Sequence, residues 1–149
     1  MNNKESLLKE FAHLAVEVGV NVQPGQLLVI NAPIVAKDLV EMIAKRAYEV
    51  GAGRVMVNWQ DDFSSKLFYE YASDERLTEV PEFTIERLKY IVAEKGAVIS
   101  ITSPNPEMLK DVDPKKIALA SNASAPKYKF YSEHMMASKS QWSIIAYPN

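Results

Sequence analysis

The sequence of 149 residues contains no cysteine. Disulfide bonds, thiolate metal sites and cysteine nucleophiles are therefore excluded, and the composition fits a reducing compartment. No uncharged apolar run approaches the roughly 18 residues that a membrane span requires. The charged start, MNNKESLLKEF, is not a signal peptide. We therefore expect a cytoplasmic protein that does not associate with membranes.

An excess of positive charge is also missing, because the net charge is −2. Surfaces that bind nucleic acids or acidic lipids usually show as a basic patch. Residues 127–131 (KYKFY) mix basic and aromatic side chains, as some nucleic-acid surfaces do. Packing and solvated lysines explain so short a run better, and no nucleic-acid partner is expected.

Hydrophobic residues make up 48% of the chain and follow strand and helix patterns. Residues 27–30 form a short apolar run typical of a strand buried on both faces, and residues 55–59 form a second run. Between them, apolar residues recur every three or four positions, as in a helix that ends at Gly51. This strand, helix and strand form a βαβ unit, whose crossover is right-handed in almost all known cases.

The same patterns predict the remaining elements. Further strands are expected at residues 97–102 and 142–146. Further helices are expected at 3–19, from the residue after Asp62 through 66–71, and at 84–95, 114–123 and 131–137. A short helical turn is expected at 108–112, and a break at 73–81. Asp62 and Asp113 are the expected N-caps, Gly96 is an expected C-terminal cap, and Pro126 is expected to interrupt the last helical region.

Strands that alternate with helices indicate an α/β fold. We predict one domain over residues 1–149, with an open, mainly parallel sheet of about four strands and helices on both faces, flavodoxin-like or Rossmann-like. The pattern does not determine the strand order; 2-1-3-4 is preferred. The last strand is followed only by residues 147–149, where α/β folds continue with a covering helix. We therefore expect the N-terminal piece of a longer protein, with a natural edge strand as the alternative.

A phosphate site would need a glycine-rich turn after the first strand. That turn, residues 31–34, has no glycine, and Pro33 removes a backbone donor. Gly51 and Gly53 lie at a helix C-terminus, where the partial charge repels anions. A nucleotide-binding site is therefore not expected.

Metal and nucleophile patterns are weak as well. Glu10, His13 and Glu17 have helical spacing, but they lie beside the apolar stripe, where solvated charges are normal. Four aspartates in loops suit turns and caps better than metal loops: Asp61, Asp62, Asp111 and Asp113. No serine lies in a G-x-S-x-G elbow, and no partner for His134 can be identified. We assign no catalytic, cofactor-binding or metal-ligating residue.

Several stretches together resemble the N-terminal domain of the thermophilic metallo-aminopeptidase family, the group of aminopeptidase T, aminopeptidase S and PepS. They are LAVEVGVNVQPG (14–25), AYEVGAGRVMV (47–57), Asp61, residues 96–104 and QWSIIAYPN (141–149). No single stretch is specific to this family, whereas the order and spacing of the stretches together are specific to it. The resemblance covers essentially the whole chain.

The resemblance implies the non-catalytic N-terminal domain of a metal-dependent aminopeptidase, a hydrolase and exopeptidase that removes N-terminal residues from peptides. In that family two divalent metal ions (zinc, cobalt or magnesium) activate water and polarise the scissile carbonyl. Their ligands lie in a C-terminal catalytic domain, and no residue here matches that motif. The resemblance further implies a homodimer, contact with that catalytic domain and with peptide substrate, and no activity of this chain alone.

Two other interpretations remain open. The first is a free-standing domain that binds a small ligand beyond the carboxyl ends of the strands, near Asn31, residues 59–60 and residues 103–104. The second is an assembly domain without catalysis.

Overall fold

The computed structural model describes residues 3–103, 107 and 109–147. The strands are β1 (Leu27–Pro33), β2 (Arg54–Gln60), β3 (Ala97–Thr102) and β4 (Trp142–Ala146). The helices are α1 (Asn3–Leu14), α2 (Lys37–Glu49), α3 (Asp62–Tyr71), α4 (Asp74–Leu77), α5 (Glu82–Glu94) and α6 (Pro114–Met136). Helix α1 continues into a π-helical turn, Ala15–Gly19, and a 3₁₀ turn, Ile34–Ala36, precedes α2.

The four strands form one sheet in the order β2-β1-β3-β4, and every neighbouring pair is parallel. The predicted fold class is confirmed, and the order is the preferred one. Strand β1 lies inside the sheet, paired with β2 on one side and β3 on the other. The register places Asn31 beside Asn58 on β2 and beside Ser100 on β3.

Side chains of β1 alternate between two apolar cores. Leu28 and Ile30 join the core formed with α1 and α2, which includes Leu8 and Ile43. The alternate residues of β1 face α5 and α6, where a second core contains Leu27, Val29, Ile91, Val98 and Met135. Helices therefore cover both faces of the sheet, as the two-sided apolar run of β1 predicts.

Three helix boundaries differ from the predicted ones. Asp61, not Asp62, caps α3 by accepting a hydrogen bond from the Phe63 backbone N–H. The predicted break at 73–81 contains the one-turn helix α4, capped by the Ser73 hydroxyl. At the end of α5, Lys95 and not Gly96 takes the left-handed conformation, with φ of 52°. Gly96 serves close packing instead, because a Cβ there would lie 3.1 Å from Leu27 Cδ2.

The predicted interruption at Pro126 is wrong, since α6 runs unbroken from Pro114 to Met136. The helix is fixed at both ends. Asp113 caps its start by accepting from the Lys115 N–H, and Met135 is buried near its end. Pro126 itself is exposed, so the carbonyl that loses its helical donor can bond to water. Anchoring of the two ends thus overrides a local helix breaker.

Some expectations concern residues outside the described part of the chain. These are the stop after the third strand at residues 104–106, the first residue of the turn predicted at 108–112, and residues 148–149. Among the helices of the described ranges, none has the length and apolar character needed to cross a membrane.

Replacing Pro126 by alanine is expected to stabilise the protein. A proline inside a helix costs about 3 kcal/mol, and its rigidity in the unfolded chain offsets up to about 1 kcal/mol of that cost. We expect Pro126→Ala to raise the free energy of unfolding by about 2 kcal/mol in urea titrations. Pro114→Ala is the matched control, because Pro114 occupies the first turn of the same helix, where proline breaks no hydrogen bond. Equal effects of both substitutions would contradict this account.

Candidate ligand-binding cleft

A row of polar side chains crosses the sheet near the carboxyl ends of its strands. Leu27 and Val29 face the core under α5 and α6. Because side chains alternate between the two faces along a strand, Asn31 lies on the same face as these two residues. The parallel register then places Asn58 and Ser100 beside it. This face of the sheet therefore changes from apolar to polar within two residues of β1.

Hydrogen bonds run along this row in one direction. Arg87 Nη1 on α5 donates to Asn58 Oδ1 at 3.0 Å, and Asn58 Nδ2 donates to Asn31 Oδ1 at 3.1 Å. Asn31 Nδ2 then donates to Ser100 Oγ at 3.4 Å. A guanidinium can only donate, so it fixes the orientation of the first amide, and each amide fixes the next.

A cleft with a volume of about 300 Å³ opens beside the row. It is lined by Asn31, Asn58 and Gln60 from the strands, Thr84, Arg87, Leu88 and Ile91 from α5, and Tyr128, Tyr131 and Ser132 from α6. Burial raises the pKa of the Tyr131 hydroxyl, while the nearby charge of Arg87 acts in the opposite direction. The cleft therefore combines one cation, a polar floor and aromatic walls.

The sequence located part of this cleft. Asn31 and Gln60 line it, whereas Trp59 and Ser103 are not among its lining residues and residue 104 lies outside the described ranges. Trp59 pairs with Ala32, whose side chain belongs to the core on the other face. The contributions of α5 and α6 were missed, because strand patterns do not reveal which helix lies over a strand end.

Two members of the suggested group of Glu10, His13 and Glu17 take part in ion pairs. Glu17 binds the Arg46 guanidinium, and His13 Nδ1 lies 3.6 Å from Glu17 Oε2. The hydrogen bond from Arg46 is the main reason that the pKa of Glu17 is lowered. Within the described ranges, no three histidine, aspartate or glutamate side chains gather in a way that could hold a metal ion.

Other polar candidates have structural roles. Hydrogen bonding from the Ser64 hydroxyl lowers the pKa of Asp61, the cap of α3. His134, for which the sequence offered no partner, lies with its Nε2 2.7 Å from Ser140 Oγ. Ser140 is buried, so this contact links the end of α6 to the approach to β4 rather than presenting a nucleophile.

Comparison with known families accounts for nearly the whole chain. Residues 4–149 match the family model described as thermophilic metalloprotease (M29). The chain belongs to this M29 family. The resemblance seen in the sequence is thereby confirmed.

Relatives within this family are aminopeptidases. The chain is 42% identical to Aminopeptidase 2 of Geobacillus stearothermophilus and 41% identical to Aminopeptidase AmpS of Bacillus subtilis. These matches cover 99% and 97% of this chain but only 36% and 35% of the relatives. A solved structure, wild-type AmpT from Thermus thermophilus, superposes with a TM-score of 0.89 at 28% identity, over 97% of this chain and 36% of that one.

The M29 chain thus spans about a third of the length of these relatives. The family description names a metalloprotease, whereas the described residues of this chain do not assemble a set of metal ligands. The part of the fold seen here therefore does not fit a metal centre of its own.

Disrupting the polar row is expected to cost stability. Asn58→Leu removes the acceptor of Arg87 and the donor to Asn31, and an unsatisfied polar group costs about 1–3 kcal/mol. We expect the free energy of unfolding to fall by about 2 kcal/mol in urea titrations. Gln60→Leu, in the same strand and the same cleft but exposed, should change it by less than about 0.5 kcal/mol. Similar losses in both variants would show that the row contributes no special stability.

The Glu17–Arg46 pair predicts a pH dependence. Because the folded-state pKa of Glu17 is lowered, its contribution to stability is complete above the ordinary value of 4.5. It is lost as the pH falls through the lowered value. The difference in unfolding midpoint between the native protein and Glu17→Gln should therefore be largest near neutral pH and vanish in acid. Glu41→Gln, at an exposed pair with Lys37, is the control for removing one surface carboxylate.

Proposed function

We propose that this chain is the non-catalytic N-terminal domain of a longer metal-dependent aminopeptidase. The observation that carries the proposal is the match to aminopeptidases that are at least 41% identical over almost the entire chain, yet about three times as long. The described residues form no group suited to a metal, which supports placing the catalytic metals elsewhere in the longer protein.

Helix α3 supports a position next to further protein. None of its residues is buried, although it is ten residues long, whereas α1, α2, α5 and α6 each bury at least one residue. Its exposed apolar side chains are Phe63, Leu67, Phe68 and Tyr71, and Trp59 at the end of β2 is exposed as well. Tyr71 reaches 81% exposure. Apolar clusters of this kind on a protein surface commonly mark an interaction site.

We assign this α3 surface to the interface with the remaining two thirds of the longer protein. In the relatives that length of chain belongs to the same polypeptide, so the part that would cover α3 is always present. In this arrangement the domain helps to enclose the active-site cavity, into which the peptide substrate binds.

The complete enzyme would remove N-terminal residues from peptides in the cytoplasm, as a homodimer. Two divalent ions, zinc, cobalt or magnesium, would be held by residues outside this chain and would supply Lewis-acid activation. The role of this chain is to fold as a domain and to help enclose the active-site cavity. Alone it is inactive.

A chimera tests this function directly. Residues 4–147 would replace the matching third of Aminopeptidase 2 from Geobacillus stearothermophilus. We expect metal-dependent hydrolysis of leucine p-nitroanilide by the chimera, and none by this chain alone or by the remaining part of Aminopeptidase 2 alone. Steady turnover by this chain alone would show that it has its own catalytic site. A chimera no more active than the remainder would contradict the domain assignment.

The same chimera tests the α3 surface. Phe68→Glu places a charge in the proposed interface, and we expect a loss of activity of about tenfold, in line with the disruption of a buried aromatic contact. Ser65→Glu adds the same charge at an exposed position of the same helix, about 130° from the centre of its apolar side. Unchanged activity in Phe68→Glu would place the interface elsewhere.

A further inference from the structure

Arg87 carries a charge that the described residues do not neutralise. Its hydrogen-bond partner is Asn58, a neutral amide, and none of the ion pairs in the described part of the chain includes it. Neighbouring charges on α5 show a contrast, because Lys89 is paired with Glu86 at 3.5 Å. A guanidinium has five N–H donors and always remains charged. The geometry leaves it with one amide acceptor and an open cleft.

We propose that the cleft beside Arg87 binds a small monocarboxylate that has an apolar body. The carboxylate would lie against the guanidinium, whose planar fork matches its two oxygens. The apolar body would lie between the aromatic side chains Tyr128 and Tyr131 and the aliphatic side chains Leu88 and Ile91. This proposal does not rest on the aminopeptidase assignment.

Charge decides between a carboxylate and a phosphate. Arg87 is the one charged residue among those that line the cleft. A single cation balances a monoanion, whereas phosphate sites combine several donors from a helix N-terminus or a glycine-rich turn with the cation. Strand β1 ends at Pro33, and the 3₁₀ turn that follows it, Ile34–Ala36, contains no glycine. The match of one charge to one charge therefore favours a carboxylate.

The polar row holds the Arg87 guanidinium in place for binding a carboxylate. Each amide in the row donates away from Arg87, toward Ser100, so Asn58 offers the guanidinium an acceptor that holds it in place. Holding Arg87 before the ligand arrives lowers the entropy lost on binding. The volume of about 300 Å³ is at the small end of ligand pockets and suits a molecule the size of an acylated amino acid.

The test uses hippurate (N-benzoylglycine) as the probe and the ¹⁵N-labelled chain of 149 residues. In two-dimensional NMR titrations, we expect saturable shifts of the side-chain amides of Asn31 and Asn58. Affinity should be about tenfold weaker in Arg87→Gln, since hydrogen bonds to a charged group are worth more than neutral ones. Lys89→Gln removes the same charge from the exposed side of α5 and should bind as the native protein does.

Comparison ligands keep the test decisive even where Arg87→Gln alters folding. With the native chain, hippuramide, which has an amide in place of the carboxylate, should produce no saturable shift. Equal binding of hippuramide, or equal weakening in Lys89→Gln, would overturn the carboxylate site. Inorganic phosphate binding as tightly as hippurate would show an unselective anion site and would also overturn it. So would equal binding of acetyl-Gly-Glu-Gly amide, because the site would then accept an acidic side chain of a polypeptide.

Discussion

Burial of β1 on both faces and along both edges is the constraint on which the structure depends. Its backbone groups pair with β2 and β3, and its side chains supply both apolar cores. Each large aliphatic side chain buried in this way stabilises the fold by about 1.5–3 kcal/mol. The helices that cover the two faces are placed by this strand. The cleft lies where its apolar character ends, at Asn31.

Polar residues at that point are tolerated because they satisfy one another. A half-buried amide without a partner is costly, but Asn31 and Asn58 each both donate and accept within the row. Arg87 sets the direction of the row, so a residue on α5 controls the orientation of side chains on two strands. A free-standing binding domain and an N-terminal domain of a peptidase can both contain such a cleft, and family membership together with the length of the relatives favours the latter.

Much of the fold could be predicted from local pattern, and the site could be predicted only in part. The two-sided apolar run and the helical spacing after it determine the βαβ unit, and β3 and β4 have the predicted limits. Pro126 and Gly96 were misjudged because tertiary packing overrides local preference at both positions, with the ends of α6 anchored and Gly96 close to Leu27. Arg87 could not be found, because its importance comes from a helix crossing over a strand end. No periodic pattern in the sequence indicates that α5 lies over this strand end.

The position of β1 inside the sheet also bears on the order of folding. Leu28 pairs with Val55, which leaves the ribosome soon afterwards, and also with Ala97, which is made much later. The βαβ unit and the part of the core that α1, α2 and β1 supply can thus form while the second half of the chain is still being synthesised. Strand β3 then adds to an edge that is already formed, and β4 follows it. A parallel sheet, whose contacts are distant in sequence, is in this way assembled from the edge formed by β2 and β1 toward β4, in the direction of translation.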